Sequence, residues 1–94
     1  MFELNISNQA KKDLKRLDKS VIKEVLSILE SIAENPHAGE PLHGNLTHLK
    51  KWSFTHLGVG YRIAYQIFEE HIEVKIMQIG TRENFYDELK RRNR

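Results

Sequence analysis

Apolar and polar residues alternate at the start of the chain. Phe2, Leu4 and Ile6 are separated by Glu3 and Asn5, the period-two pattern of a short strand buried on one side. From Ser7 or Asn8, either of which can cap a helix, the spacing widens to Ala10, Leu14 and Leu17. The wet side of that helix carries Lys11, Lys12, Asp13, Lys15 and Arg16. After Asp18-Lys19-Ser20 the helical pattern restarts with a wide stripe of Val21, Ile22, Val25, Leu26, Ile28, Leu29 and Ile32. Asn35-Pro36 stops it, because a residue before proline is pushed out of the helical region. Two helices joined by so short a link predict an antiparallel hairpin. Residues 36–48, with Pro36, Gly39, Pro41, Gly44 and Asn45, read as a turn-rich connector.

The period then returns to two. Lys51–Leu57 reads as a strand, Gly58-Val59-Gly60 as a hairpin turn, and Tyr61–Ile67 as the next strand. Glu69-Glu70-His71 turns the chain again into a last strand, Ile72–Ile79. Gly80 ends that strand, Thr81 is positioned to cap a helix, and Phe85 and Leu89 form the narrow apolar seam of a helix from about Arg82 to Arg92. The order β-α-α-β-β-β-α predicts an α+β fold, with a helical hairpin packed on one face of a mainly antiparallel sheet and a C-terminal helix. The hairpin covers one sheet face, which leaves the other open for binding. At 94 residues the chain makes a single domain, 1–94.

Composition narrows the chemistry. Hydrophobic residues make up 39% and charged residues 30%, the balance of a globular protein with a modest core. Cysteine is absent, which removes disulfides, thiolate catalysis and thiolate metal sites. No apolar run approaches the roughly 18–20 residues that span a bilayer. The start, Met1-Phe2-Glu3-Leu4, lacks the basic and apolar regions of a signal peptide, so a cytoplasmic protein without membrane contact is expected. The net charge of +2 is unevenly spread: residues 1–48 sum to −1 and residues 49–94 to +3, with Lys90, Arg91, Arg92 and Arg94 crowding the end. Such a patch suits nucleic acid or an acidic protein, and basic residues in a last helical turn also complement the helix dipole.

Strand alternation sends Tyr61, Ile63, Tyr65 and Ile67 toward the helices and Arg62, Ala64 and Gln66 to the open face. Arg82 and Tyr86, four apart, would share a face at the start of the last helix and converge on Arg62. Two guanidinium groups grip phosphate oxygens and neutralise charge that builds on a phosphorane. A phenol beside them is a candidate for proton transfer. RNA supplies its own nucleophile, the 2′-hydroxyl. Lys50 and Lys51 add positive charge on the neighbouring strand, Trp52 can stack on a base or pack in the core, and His56 is a candidate acid or base. Arg91 and Arg92 are candidate contacts to the RNA backbone. His37, His43 and His48 lack the spacing of a zinc site, so neither a metal nor any other cofactor is expected.

The order of elements resembles one family over essentially the whole chain. Asn35-Pro36 followed by Leu42-His43-Gly44, then Gly60-Tyr61-Arg62-Ile63-Ala64-Tyr65, then Gly80-Thr81-Arg82-Glu83-Asn84-Phe85-Tyr86 look like the RelE/ParE toxin superfamily. The resemblance implies the toxin of a type II toxin–antitoxin pair. For the RelE branch it implies a ribosome-dependent endoribonuclease, an mRNA interferase that cuts messages in the decoding site. Its site would use arginines at Arg62 and Arg82, a tyrosine near Tyr86, and lysines on the strand before the hairpin. The implied partners are a cognate antitoxin, the ribosome and mRNA, with higher-order toxin–antitoxin complexes. Active relatives carry several basic residues along that strand, whereas here the lysines stand only at its start. That departure keeps two alternatives open, a ParE-like inhibitor of DNA gyrase and a catalytically degenerate binding module.

Overall fold

The computed structural model describes residues 1–93, so Arg94 of the basic C-terminal cluster lies outside the described residues. The chain runs β1 (Glu3–Ile6), α1 (Asn8–Lys15), α2 (Lys19–Glu34), β2 (Glu40–Pro41), β3 (Lys50–His56), β4 (Val59–Phe68), β5 (Glu73–Thr81) and α3 (Phe85–Arg92). The strands form one sheet in the order β1-β5-β4-β3-β2. β1 lies parallel to β5, and the other neighbours are antiparallel. The α+β architecture is the one the patterning predicts. β2 is new, because a two-residue strand is too short to show an alternation.

Ser7 starts α1 by accepting the Ala10 N–H on its hydroxyl at 3.1 Å. The stripe of α2 then buries Val21, Val25, Leu29 and Ile32 against Ile63, Tyr65, Val74, Ile76 and Ile79 of the sheet. Ile76 and Ile79 are three apart, an odd spacing for one face of a strand. The pairing slips to allow it: Ala64 opposes Gln78 while Tyr65 opposes Ile76, so Met77 is an extra residue in β5.

The opposite sheet face is not open along its length, which corrects the expectation. Leu42, Leu46 and Leu49 from the connector and Phe85 and Leu89 from α3 close over Ala64, whose small side chain admits them. A hairpin alone would leave that apolar surface wet, and α3 is long enough to cover only part of it. What remains uncovered is the end of the sheet around Arg62.

Two local readings also change. The β3–β4 turn is Leu57-Gly58 and not Gly58-Val59-Gly60. Leu57 and Gly58 both have positive φ, 51° and 80°, and His56 pairs with Val59. Two left-handed residues give a turn whose twist matches the strands, and this returns Gly60 to β4. At the other end, Thr81 does not cap a helix, because β5 continues through it. The Arg82 N–H donates to Gly60 O at 3.1 Å and extends the ladder, so α3 begins only at Phe85, after Asn84 in the left-handed region. Among the described residues no helix is long and apolar enough to cross a membrane.

Candidate active site

The register of β3 against β4 decides which side chains share a face. Lys51 opposes Ala64, Ser53 opposes Arg62 and Thr55 opposes Gly60, so these point to the side that α3 partly covers. Lys50, Trp52, Phe54 and His56 point to the helical hairpin. One residue of slip would exchange the two sets.

On the α3 side, four sequence-predicted residues come together. Lys51 Nζ donates to the Tyr86 hydroxyl at 2.7 Å. The Arg62 guanidinium lies over the Tyr86 ring, 4.8 Å from its centre, on the electron-rich face that attracts a cation. Arg82 crosses the strand beside Gly60, in the space a Cβ there would take. Arg62 and Arg82 line one shallow cavity of about 190 Å³ with Ser53 and Thr55. Arg82 therefore reaches Arg62 from the turn before α3, and not from a helical face shared with Tyr86. Gly60 makes the approach possible.

The electrostatics of this face are unbalanced. No carboxylate among the described residues forms an ion pair with Lys51, Arg62 or Arg82. Arg62 Nε is buried with no hydrogen-bond partner among the described residues. An unpartnered buried donor on a cation is costly, and an anionic oxygen entering the cavity would relieve it.

The other candidates lie elsewhere. Lys50 Nζ donates to Gly39 O at 3.4 Å. Trp52 packs against the helical-hairpin core. His56 Nε2 sits 3.2 Å from Ser20 Oγ at the start of α2. All three are on the face turned away from Arg62. Arg91 pairs with Glu88 one turn earlier. Arg92 makes a two-pronged ion pair with buried Asp13 at 2.8 and 2.9 Å, so its charge ties α3 to α1. Among the described residues no group of three His, Asp or Glu side chains is placed to hold a metal ion. The sequence singles out neither Ser53 nor Thr55, and gives Gly60 only as a turn residue and part of the family pattern. The polar alternation Lys51-Ser53-Thr55 carries the signal, but only once the turn residues are known.

The family model for the ParE-like toxin of type II bacterial toxin-antitoxin systems matches residues 4–90. The chain belongs to that toxin family. Among solved structures, the toxin resembles a variant of Escherichia coli RelE in the free state, with two arginines changed to alanine, at 26% identity. It covers 96% of each chain with a TM-score of 0.77. It also resembles the toxin–antitoxin complex RelBE2 from Mycobacterium tuberculosis, at 25% identity over 86% of this chain and 98% of that one, with a TM-score of 0.71. The archaeal RelE–RelB complex from Pyrococcus horikoshii shares the fold at 22% identity, covering 87% of this chain and 96% of that one, with a TM-score of 0.65. No curated protein matches in sequence. The ParE-like toxin thus has a RelE-like fold, and its structural neighbours place it in the RelE-like branch.

Proposed function

We propose that the toxin cleaves messenger RNA on the ribosome. The single observation that carries this is a run of uncompensated cations, with Lys51 on the Tyr86 hydroxyl, Arg62 over the Tyr86 ring and Arg82 sharing a cavity with Arg62. It offers phosphate-holding cations and one proton-transfer group on a face shallow enough for a strand. In the proposed reaction the 2′-oxygen of one nucleotide attacks the adjacent phosphorus. The Tyr86 hydroxyl, with Lys51 Nζ beside its oxygen, takes the 2′ proton as its own proton passes to water. The bond from phosphorus to the 5′-oxygen breaks, and that oxygen takes up a proton from water. Arg62 and Arg82 neutralise the charge on the phosphorane between these events. The products are a 2′,3′-cyclic phosphate and a 5′-hydroxyl. A shallow face provides little binding energy, and this accounts for a need for the ribosome to present the message.

A cognate antitoxin is the proposed protein partner in the cytoplasm. The same uncompensated cations suit an acidic segment, and the relatives above include RelE–RelB complexes. A second reading has one observation in its favour: the strand β3 puts only one lysine, Lys51, on the cationic face. On that reading the face would inhibit DNA gyrase and cleave no RNA. Primer extension on translated messages after induction separates the two. New 5′ ends within open reading frames support the nuclease. Growth arrest without such ends, with purified toxin blocking supercoiling, selects the gyrase reading.

A further inference from the structure

Asp13 belongs, by its position in α1, to the wet face of that helix between Lys12 and Leu14. Instead it is 8% exposed. Its carboxylate accepts the Ile79 N–H at 3.0 Å and both terminal nitrogens of Arg92 at 2.8 and 2.9 Å. Glu88 Oε1 adds a longer contact to Arg92 Nε at 3.4 Å. One carboxylate thus joins three elements: α1, the β5 backbone and the last turn of α3.

The eight residues of α3 are too few to be helical alone, so its placement depends on tertiary ties. Near its start, Phe85 and Leu89 enter the second core and the Gln78 amide donates to Phe85 O at 2.8 Å. At its end the tie is Arg92 on Asp13. Tyr86 follows Phe85 in the first turn, and its hydroxyl meets Lys51 across the sheet. A helix held only near its start can still turn about its own axis, and a 2.7 Å contact made by a side chain of its first turn is lost on a small rotation. The bonds from Asp13, the larger influence, also hold Arg92 further toward its charged form despite partial burial.

We propose that Asp13 is a positioning residue: through Arg92 it holds α3 so that the Tyr86 hydroxyl stays on Lys51. Its consequence for cleavage rests on the nuclease reading above, whereas its consequence for the Tyr86 contact does not. Among the described residues the Asp13 carboxylate makes its hydrogen bonds only to Ile79 and Arg92 and reaches none of the proposed catalytic groups. Asp13→Asn keeps the size and can still accept the Ile79 N–H, but it loses the charge and one of the paired bonds to Arg92.

The test is a ring-carbon spectrum of the full-length protein with labelled tyrosine. Lys51→Met defines the Tyr86 signal without its partner. Asp13→Asn is expected to move the Tyr86 signal toward that position while Tyr61 and Tyr65 keep theirs. Arg92→Lys, which keeps the charge and one bond, is expected to move it less and serves where Asp13→Asn does not fold. On ribosome-bound message, Asp13→Asn should lower the maximal cleavage rate ten- to about a hundredfold with the half-saturating concentration unchanged, and cost nothing further in Tyr86→Phe. An unmoved Tyr86 signal in both variants overturns the proposal, even if wild type cleaves RNA. A wild type that cleaves nothing, with a Tyr86 signal that moves as described, overturns the nuclease reading and leaves the positioning of Tyr86 by Asp13 established. Weaker ribosome binding at an unchanged maximal rate would make Arg92 an RNA contact and overturn the positioning role.

Discussion

Arg62 projects from the middle of a strand, lies across an aromatic ring and keeps one buried nitrogen without a partner among the described residues. Truncating it removes charge more than packing. Arg62→Ala is expected to fold and to lose about a hundredfold in cleavage rate, on the order of 3 kcal/mol of transition-state stabilisation. Arg82 is exposed, so Arg82→Ala should match that loss in single-turnover assays while stability changes by about 0.5 kcal/mol or less. Tyr86→Phe deletes only the hydroxyl that Lys51 meets, and cleavage should fall more than ribosome association. Gly60 offers a sharper check. A methyl group there would occupy the place of the Arg82 side chain, so Gly60→Ala should imitate Arg82→Ala and add nothing to it. A Gly60→Ala protein that cleaves normally contradicts the seat described for Arg82. Arg62 was legible from simple alternation. Arg82 was legible as a residue but not as a position, because a backbone bond to Gly60 delays the helix and no side-chain pattern announces such a bond.

At the scale of elements, the helical hairpin and three of the strands follow from periodicity, since each buries a full stripe or face and leaves its mark on many residues. The readings that failed hang on one or two residues each. Leu57 in a left-handed turn conformation defies the preference for glycine there, and that single departure sets the register placing Lys51 beside Tyr86 and His56 beside Ser20. The connector was equally opaque, for its order depends on tertiary ties. Tyr65 donates its hydroxyl to Pro36 O at 2.7 Å, and Gly39 packs where any side chain would strike that hydroxyl. Tyr65→Phe leaves the Pro36 carbonyl without its donor and should cost about 1–2 kcal/mol, which calorimetry reads as a drop in melting temperature of several degrees. Burial pushes the Tyr65 phenol from 10.0 up to about 12. The unfolded chain therefore loses this proton first as pH rises. Stability is at its full value below about pH 10 and declines toward pH 12, and Tyr65→Phe should lose the part of that decline which belongs to this group. Equal alkaline declines in the two proteins would contradict the buried assignment.

Taken whole, the molecule divides its sheet between two tasks. One face is spent on the helical hairpin, and the other is shared between a small apolar cluster and a set of cations, half-buried at Lys51 and Arg62 and exposed at Arg82. The division explains why the site is shallow: a domain of 94 residues has no second layer with which to wall it in. Partner chemistry follows from the same arrangement, since an acidic antitoxin segment and an RNA strand would compete for Lys51, Arg62 and Arg82. Both associations should weaken steeply with added salt, and alanine at either arginine should flatten the salt dependence. The most direct test of the central claim is end-group analysis of a message cut on programmed ribosomes by the purified toxin, with Arg62→Ala alongside. A cut within the reading frame bearing a 2′,3′-cyclic phosphate and a 5′-hydroxyl, made by wild type and nearly abolished in a folded Arg62→Ala protein, is the predicted result. No cut, or ends bearing a 5′-phosphate, would contradict it.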